Sequence, residues 1–315
     1  MILVFGALLD NVIGHLVHRL TDRSIPFLLL DPREYGRSYE LVWEWGTSGE
    51  FSAWLRHGDT VSSLAEARSA YVHGTSPAGA ADGGFRPEQI HCMLRTFLDT
   101  APLLICNRPS ASATNFSKTW QQQTVTAAGF AVPRTLVTNI PEEAREFYER
   151  CRRRVIYKSL SARRSIVRRM AEADLDRLEL LRAGPTQFQE WLPGVDIRVH
   201  VMGRQVFATQ IETDATDYRY SNREGLPRTM RGIELPAEVA ARCVALARAL
   251  GMVAAGVDLR RTPDGCYYCF EANPTPGFAF YEQYTGQRIA DGLIDALLED
   301  ASSKEWCKMV YFSRM

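Results

Sequence analysis

The chain has 315 residues, 46% of them hydrophobic, with 37 basic and 37 acidic side chains and a formal net charge of zero. That is enough apolar material for two or three subdomains with their own cores, and it excludes the disordered, collagen-like and coiled-coil classes. A balanced charge leaves no overall field to hold nucleic acid or an anionic membrane, although a local basic cleft stays open.

Ile2-Leu3-Val4-Phe5 reads as a short strand, and Asn11 to Thr21 carries Val12, Leu16, Val17 and Leu20 at helical spacing. Pro26 to Leu30 reads as a second strand ending at Asp31. This βαβ start has no G-x-G-x-x-G after its first strand, so a dinucleotide fold is not supported, and the domain is expected to carry substrate or partner contacts. Residues 32 to 90 give no clear period. They hold Trp43, Trp45 and Trp54 and a Gly/Ala/Pro stretch from Gly74 to Gly84, and an irregular or mobile connection is expected.

A helix over Pro87 to Thr100 leads to the strand Leu103 to Cys106, and the polar break at Asn107-Arg108-Pro109 marks a subdomain boundary. Ser117 is placed as the cap of a helix that carries Lys118 and stops at Gly129. Thr135 to Thr138 is a strand, Pro141 to Arg152 a helix with Ala144, Phe147, Tyr148 and Cys151 inward, and Val155 to Lys158 a strand. Ile166 to Met170 is expected as a return strand, Asp174 to Leu181 as a short helix and Thr186 to Trp191 as a strand. Asp196 to Val201 alternates cleanly, with Asp196, Arg198 and His200 on one face, and Gln205 to Ile211 is its hairpin partner. The helix Pro236 to Leu250 stops at Gly251.

The chemistry concentrates near the end of the chain. An apolar run ending at Asp258, a Pro263-Asp264-Gly265 turn and an aromatic run ending at Glu271-Ala272-Asn273 read as two adjacent strands. Period two puts Glu271 and Asn273 on one face and Tyr268, Phe270 and Ala272 on the other. Carboxylate and amide oxygens suit magnesium, which completes its octahedron with water and phosphate oxygens, so a nucleotide is implied. The alternative is a surface hairpin with solvated acids.

Only four basic residues are lysines, Lys118, Lys158, Lys304 and Lys308. In a chain that otherwise uses arginine, Lys118 and Lys158 mark places where a compact ammonium serves a phosphate, while the other two suit a polar tail. The seven cysteines, Cys92, Cys106, Cys151, Cys243, Cys266, Cys269 and Cys307, are odd in number and scattered, so reduced thiols are expected. No second pair completes a zinc site with Cys266 and Cys269. No eighteen-residue apolar run is present, and Met1 to Leu9 lacks the charged flank and cleavage pattern of a signal peptide, so a cytoplasmic protein without a membrane partner is expected.

Nine segments in order then carry a resemblance. They are Ser117-Lys118, Ala128-Gly129-Phe130-Ala131-Val132-Pro133, Thr135-Leu136-Val137-Thr138-Asn139, Ile156-Tyr157-Lys158, Gln189-Glu190-Trp191-Leu192, Gly194-Val195-Asp196-Ile197-Arg198-Val199, Asp217-Tyr218-Arg219, Gly256-Val257-Asp258 and Glu271-Ala272-Asn273. From about Asn107 to Leu298 the chain resembles the ATP-grasp carboxylate ligases, in their RimK-like branch and the related microviridin-type (graspetide) peptide ligases. Tyr281-Glu282-Gln283-Tyr284-Thr285-Gly286-Gln287 and the apolar helix of Ile289, Leu293 and Leu297 look closer to the peptide-ligase branch.

The resemblance implies an α/β (α+β) chain with an ATP-grasp fold of two β-rich lobes clamping ATP, behind a small βαβ-type N-terminal domain. The expected division is 1–106, a small lid subdomain 107–184, a metal-bearing subdomain 185–302, and a tail 303–315. By the same resemblance, Lys118 and Lys158 contact the α- and β-phosphates, Gln189, Glu190 and the Leu192 backbone bind adenine, and Asp196 partners ribose or an adjoining basic residue. Asp258, Glu271 and Asn273 hold Mg2+, and Arg198 and Arg219 face the transferring phosphoryl group or the substrate carboxylate, for which a planar fork is suited. A satisfied salt bridge is the other reading of each arginine.

The implied reaction makes an acyl phosphate from a peptide or small-molecule carboxylate and passes it to an amine or hydroxyl acceptor. An amino-acid or dipeptide ligase, a phosphotransferase on the same scaffold and a non-catalytic nucleotide binder are the rivals. A homo-oligomer stays open. One departure stands out: after Lys158 the family often has a glycine-rich loop, whereas Ser159 to Ser165 has no glycine, so either Ser161, Arg163, Arg164 or Ser165 take over phosphate contacts or the loop is only a solvated charged turn. His200 is either a general base or structural, and Phe278, Phe280, Tyr281 and Tyr284 either shape an acceptor pocket or pack in the core.

Overall fold

In the computed structural model, which describes residues 1–35, 37–48, 50–74, 85–116, 118–160 and 167–299, the chain begins with β1 (Ile2–Phe5), α1 (Asn11–Asp22) and β2 (Phe27–Leu30). The two strands are parallel. Helix α1 starts where Asp10 Oδ1 accepts from Val12 N at 2.8 Å, a side-chain cap, and its apolar stripe of Val12, Ile13, Leu16 and Leu20 is buried. The expected βαβ start is therefore present.

Where an irregular connection was expected, the described residues form strands. Strands β3 (Tyr39–Trp45), β4 (Phe51–His57) and β5 (Thr60–Ser63) form an antiparallel meander, and β6 (Ser69–Val72) joins β1 in parallel. The β4–β5 turn is tight because Gly58 takes φ +58°. Residues 75–84 lie outside the described residues. Helix α2 (Phe85–Thr100) leads to β7 (Leu104–Cys106), which completes a parallel sheet in the order β2-β1-β6-β7.

After α3 (Pro109–Ser112) and α4 (Lys118–Ala127), Gly129 stops the chain's helical course at φ +86°. The expected cap Ser117 lies outside the described residues. Strand β8 (Thr135–Thr138), helix α5 (Pro141–Arg150), strands β9 (Val155–Ser159) and β10 (Arg168–Arg169), a 3-10 stretch at Glu172–Ala183 and β11 (Thr186–Glu190) build the small lobe. Its antiparallel sheet runs β10-β9-β11-β8. Phe188 lies opposite Leu136 on one side and Tyr157 on the other, so β11 belongs to this sheet, which therefore crosses the expected boundary at residue 184. Among the described residues of the expected return strand, Arg168–Arg169 pair with β9 and Met170 N adds a bond to Val155 O at 2.9 Å; residues 161–166, with most of the glycine-free loop, lie outside the described residues.

The third sheet holds β12 (Val195–Met202), β13 (Gln205–Glu212), β14 (Thr229–Ile233), β15 (Ala254–Arg261) and β16 (Tyr267–Asn273), antiparallel in the order β14-β13-β12-β15-β16. Helix α6 (Ala237–Ala249) packs Val239, Cys243 and Leu246 against Val199 and Val257 of one face. Helices α7 (Ala279–Thr285) and α8 (Ile289–Leu298) follow. Leu293, Ile294 and Leu297 share a core with Ile2, Val4 and Leu16, and Arg19 Nη2 donates to both Asp291 carboxylate oxygens, at 2.8 and 3.0 Å, which docks the N-terminal domain on this lobe. Among the described residues no helix is long and apolar enough to cross a membrane.

Candidate active site

One row of side chains crosses the third sheet. Arg198 on β12 stands opposite Asp258 on β15, which stands opposite Glu271 on β16, and directly opposed residues share a face. Arg198 Nη1 donates to Asp258 Oδ1 at 2.9 Å, and the Tyr218 hydroxyl donates to the same oxygen at 3.4 Å. From the small lobe, Lys158 Nζ reaches to 4.0 Å from Glu271 Oε2. Burial opposes the Arg198 charge, but Asp258, Tyr281 and Tyr218 outweigh it and hold its pKa above the ordinary value. Burial, with help from Asp258, pushes the Tyr218 phenol well up, so it stays a donor.

These groups border a cavity between the lobes whose lining includes Lys158, Gln189, Glu190, Leu192, Asp196, Arg219, Asp258 and Glu271. Eight of the eleven predicted site residues are thus brought together. Arg198 sits just behind the wall, bonded to Asp258. Lys118 begins α4, and its side chain lies outside what is described. Asn273 shares the Glu271 face, opposite Gly256, but its carboxamide oxygen accepts from Thr275 N at 2.9 Å and Thr275 Oγ1 at 3.4 Å.

The simple alternation of β16 breaks at one point. The register slips between Asp258 and Leu259, so that Leu259 faces Cys269 and Phe270 is an extra residue. Phe270 therefore lines the cavity beside Glu271 rather than sharing the buried face of Ala272.

At the hinge, Gln189 is buried and its Nε2 donates to Thr135 Oγ1 at 3.1 Å, which ties β11 to β8. Glu190 Oε2 lies 3.9 Å from Arg134 Nε, a partly exposed pair of small worth. Asp196 meets a basic neighbour: Arg260 Nε and Nη2 each donate to it at 2.8 Å. Burial pushes the Asp196 carboxyl up against the opposite pull of Arg260. Arg219 forks onto Asp217 at 2.8 and 2.6 Å, and that bond is the main reason its pKa is raised. In this state both predicted arginines are in ion pairs.

Arg260, Tyr218 and Phe270 were not anticipated. Arg260 had a signal, because it lies two residues after Asp258 and so shares its face. Tyr218 sits in a 3-10 stretch, Tyr218–Glu224, with no period to read. His200 is fully buried and bonds through Nε2 to Gly277 O at 3.1 Å, with burial and then Arg198 lowering its pKa to about 3, so it fastens the loop after β16 and is a poor base. Phe278 is in the core, whereas Phe280 and Tyr284 are 40% and 57% exposed. The described cysteines are free, and among the described residues no group of three His, Cys, Asp or Glu could hold a metal. The oxygen-only pair Asp258 and Glu271 nevertheless fits magnesium, which takes one or two carboxylates and draws its other ligands from phosphate and water.

A model of the RimK-like ATP-grasp domain matches residues 117–297, more than half of the chain, which therefore belongs to the RimK-like ATP-grasp family and with it to the ATP-grasp ligases. A probable alpha-L-glutamate ligase of Pseudoalteromonas translucida is 29% identical over 193 residues, covering 58% of this chain and 63% of that protein. The match thus spans a little under two thirds of that relative. The ATP-grasp ligase PsnB, solved with a minimal precursor, is 29% identical with a TM-score of 0.79, covering 95% of this chain and 98% of that one. PsnB has also been solved with Mg and ADP. The macrocyclase MdnC of Microcystis aeruginosa MRC, bound with precursor peptide MdnA, gives a TM-score of 0.80 at 20% identity over 95% of this chain and 100% of that one, a likeness of fold. The expected ATP-grasp fold and the expected kinship with peptide-modifying ligases both hold.

Proposed function

We propose that the protein is an ADP-forming ligase that activates a carboxylate of a peptide or protein and joins it to an amine or hydroxyl. The observation that carries this reading is the Arg198–Asp258–Glu271 row with Lys158 facing it across one cavity. A carboxylate attacking a triphosphate is anion against anion, so cations must hold both in line. ATP gives its γ-phosphoryl group to the carboxylate and leaves as ADP, and the acceptor then displaces phosphate from the acyl phosphate.

Lys158, with Lys118 at the start of α4, is assigned to the α- and β-phosphates, and Gln189, Glu190 and the Leu192 backbone to the base. Asp196 is assigned to the ribose side, through or beside Arg260. Asp258 and Glu271 would hold Mg2+, with Asn273 joining if it releases Thr275; the ion would neutralise phosphate charge. Arg219, half exposed at the rim, is the fork best placed to exchange Asp217 for a substrate carboxylate, while Arg198 holds Asp258 in place. The lobes divide near residue 107 and, given the pairing of β11, after Glu190 rather than at 184. A reducing, ATP-supplied cytoplasm suits free thiols.

The likeness to a probable alpha-L-glutamate ligase favours a second reading, in which the substrates are free amino acids. ADP release measured with acidic peptides and with amino acids separates the two. A product lighter by one water than its parts supports ligation, and a stable phosphorylated product overturns it in favour of phosphotransfer.

A further inference from the structure

Arg260 makes three contacts at once. It grips Asp196 with two donors at 2.8 Å, gives Nη1 to the Leu192 carbonyl at 2.9 Å, and lies 5.6 Å from the centre of the Phe270 ring. Its side chain is 13% exposed and borders the cavity. The neighbouring hinge amides are committed too, Glu190 N to Arg134 O and Trp191 N to Arg154 O, both at 2.9 Å. Among the described residues no acceptor is bonded to the Leu192 N–H, and Pro193 has no N–H to give.

We propose that Arg260 is a positioning residue for the nucleotide: by occupying the Leu192 carbonyl and fixing it to Asp196, it leaves the Leu192 N–H as the hinge's donor and so selects a purine with an acceptor at its 1-position. This rests on the assignment of the hinge to the base in the ligase reading. A hypoxanthine or guanine base carries N1–H there and would set donor against donor, an unpaired polar contact that costs affinity. Without Arg260 the Leu192 carbonyl is released as an acceptor for N1–H, and Asp196 loses its counter-charge. Lysine cannot replace the planar fork, because one ammonium cannot span both partners in the same geometry.

The test is binding of ADP and of IDP, its hypoxanthine counterpart, to the full chain and to R260M and R260K. The unaltered chain should prefer ADP by about tenfold or more, R260M should lose about tenfold in ADP affinity with the preference falling toward one, and R260K should lie between. In turnover, KM for ATP should rise in R260M while kcat at saturating ATP stays within about threefold, since Arg260 is committed to the hinge and Asp196 and not to the reacting row. Unchanged ADP affinity and preference in R260M, or a fall in kcat alone, overturns the proposal; should R260M fail to fold, an unchanged preference in R260K does so. Absence of any nucleotide binding by the unaltered chain would instead overturn the ligase reading, and this inference with it.

Discussion

Arg198 and Asp258 occupy directly opposed positions on β12 and β15 and are joined at 2.9 Å, with the Arg198 side chain 7% exposed. A buried guanidinium and a carboxylate assigned to the metal thus depend on each other. Asp258→Asn leaves Arg198 with a neutral partner, which should lower stability by about 3 kcal/mol and turnover by about a hundredfold or more. The double variant D258N/R198M removes the stranded charge and should recover part of the stability but none of the turnover. Denaturant melts of the unaltered chain, D258N, R198M and D258N/R198M give the coupling; a coupling within error of zero would mean that the pair is incidental.

Lys158 should act as a compact charge on phosphate rather than as a fork. Its side chain is 10% exposed, borders the cavity and brings its ammonium to 4.0 Å from Glu271, so it is held at one point of the wall. Lys158→Ala should weaken ADP binding by about tenfold or more, and Lys158→Arg should restore little of it, because the longer planar group does not fit the same point contact. Titration with ADP in the presence of magnesium measures this. Full recovery in K158R would show that any cation suffices.

Gly256 lies between His200 and Asn273 in the same sheet. A Cβ there would overlap the Arg198 guanidinium and come within 2.8 Å of Pro276 Cβ. Its φ is not in the left-handed region, so the constraint is space alone. Gly256→Ala should displace Arg198 and cut turnover by about a hundredfold, a larger effect than its effect on melting. G256A/R198A should melt higher than G256A while staying inactive; if G256A retains full activity, Arg198 does not set the geometry of Asp258.

The parts of this site that were legible obey short periods. Asp196, Arg198 and His200 alternate on β12, and the run into Asp258 and the run into Glu271 form the hairpin their turn chemistry implies. Period two failed at Phe270, because a bulge is set by register between strands and leaves no mark in one strand's own alternation. Tyr39–Trp45 does alternate, but its tryptophans are divided between a core contact at Trp43 and exposure at Trp45, so it does not read as one apolar face. The Asn273–Thr275 turn and the Arg219–Asp217 pair are local side-chain choices that composition does not reveal.

His200 gives the chain a specific acid sensitivity. Burial first, and Arg198 second, lower its pKa to about 3, while in the unfolded chain it returns to about 6.5. The folded state therefore stays neutral where the unfolded state takes up a proton, so the stability tied to His200 is complete above about pH 6.5 and is lost as pH falls toward 3. The loss is bounded at roughly 1.4 kcal/mol per pH unit, on the order of 4 to 5 kcal/mol in all. His200→Gln keeps a donor for Gly277 O without the titration. Denaturant melts between about pH 7 and pH 4 should show the unaltered protein losing more stability than H200Q, so that the gap between them narrows or inverts. A gap that stays constant over that range would mean that His200 is as easily protonated in the folded chain as in the unfolded one, and that the Gly277 contact is not what its burial suggests.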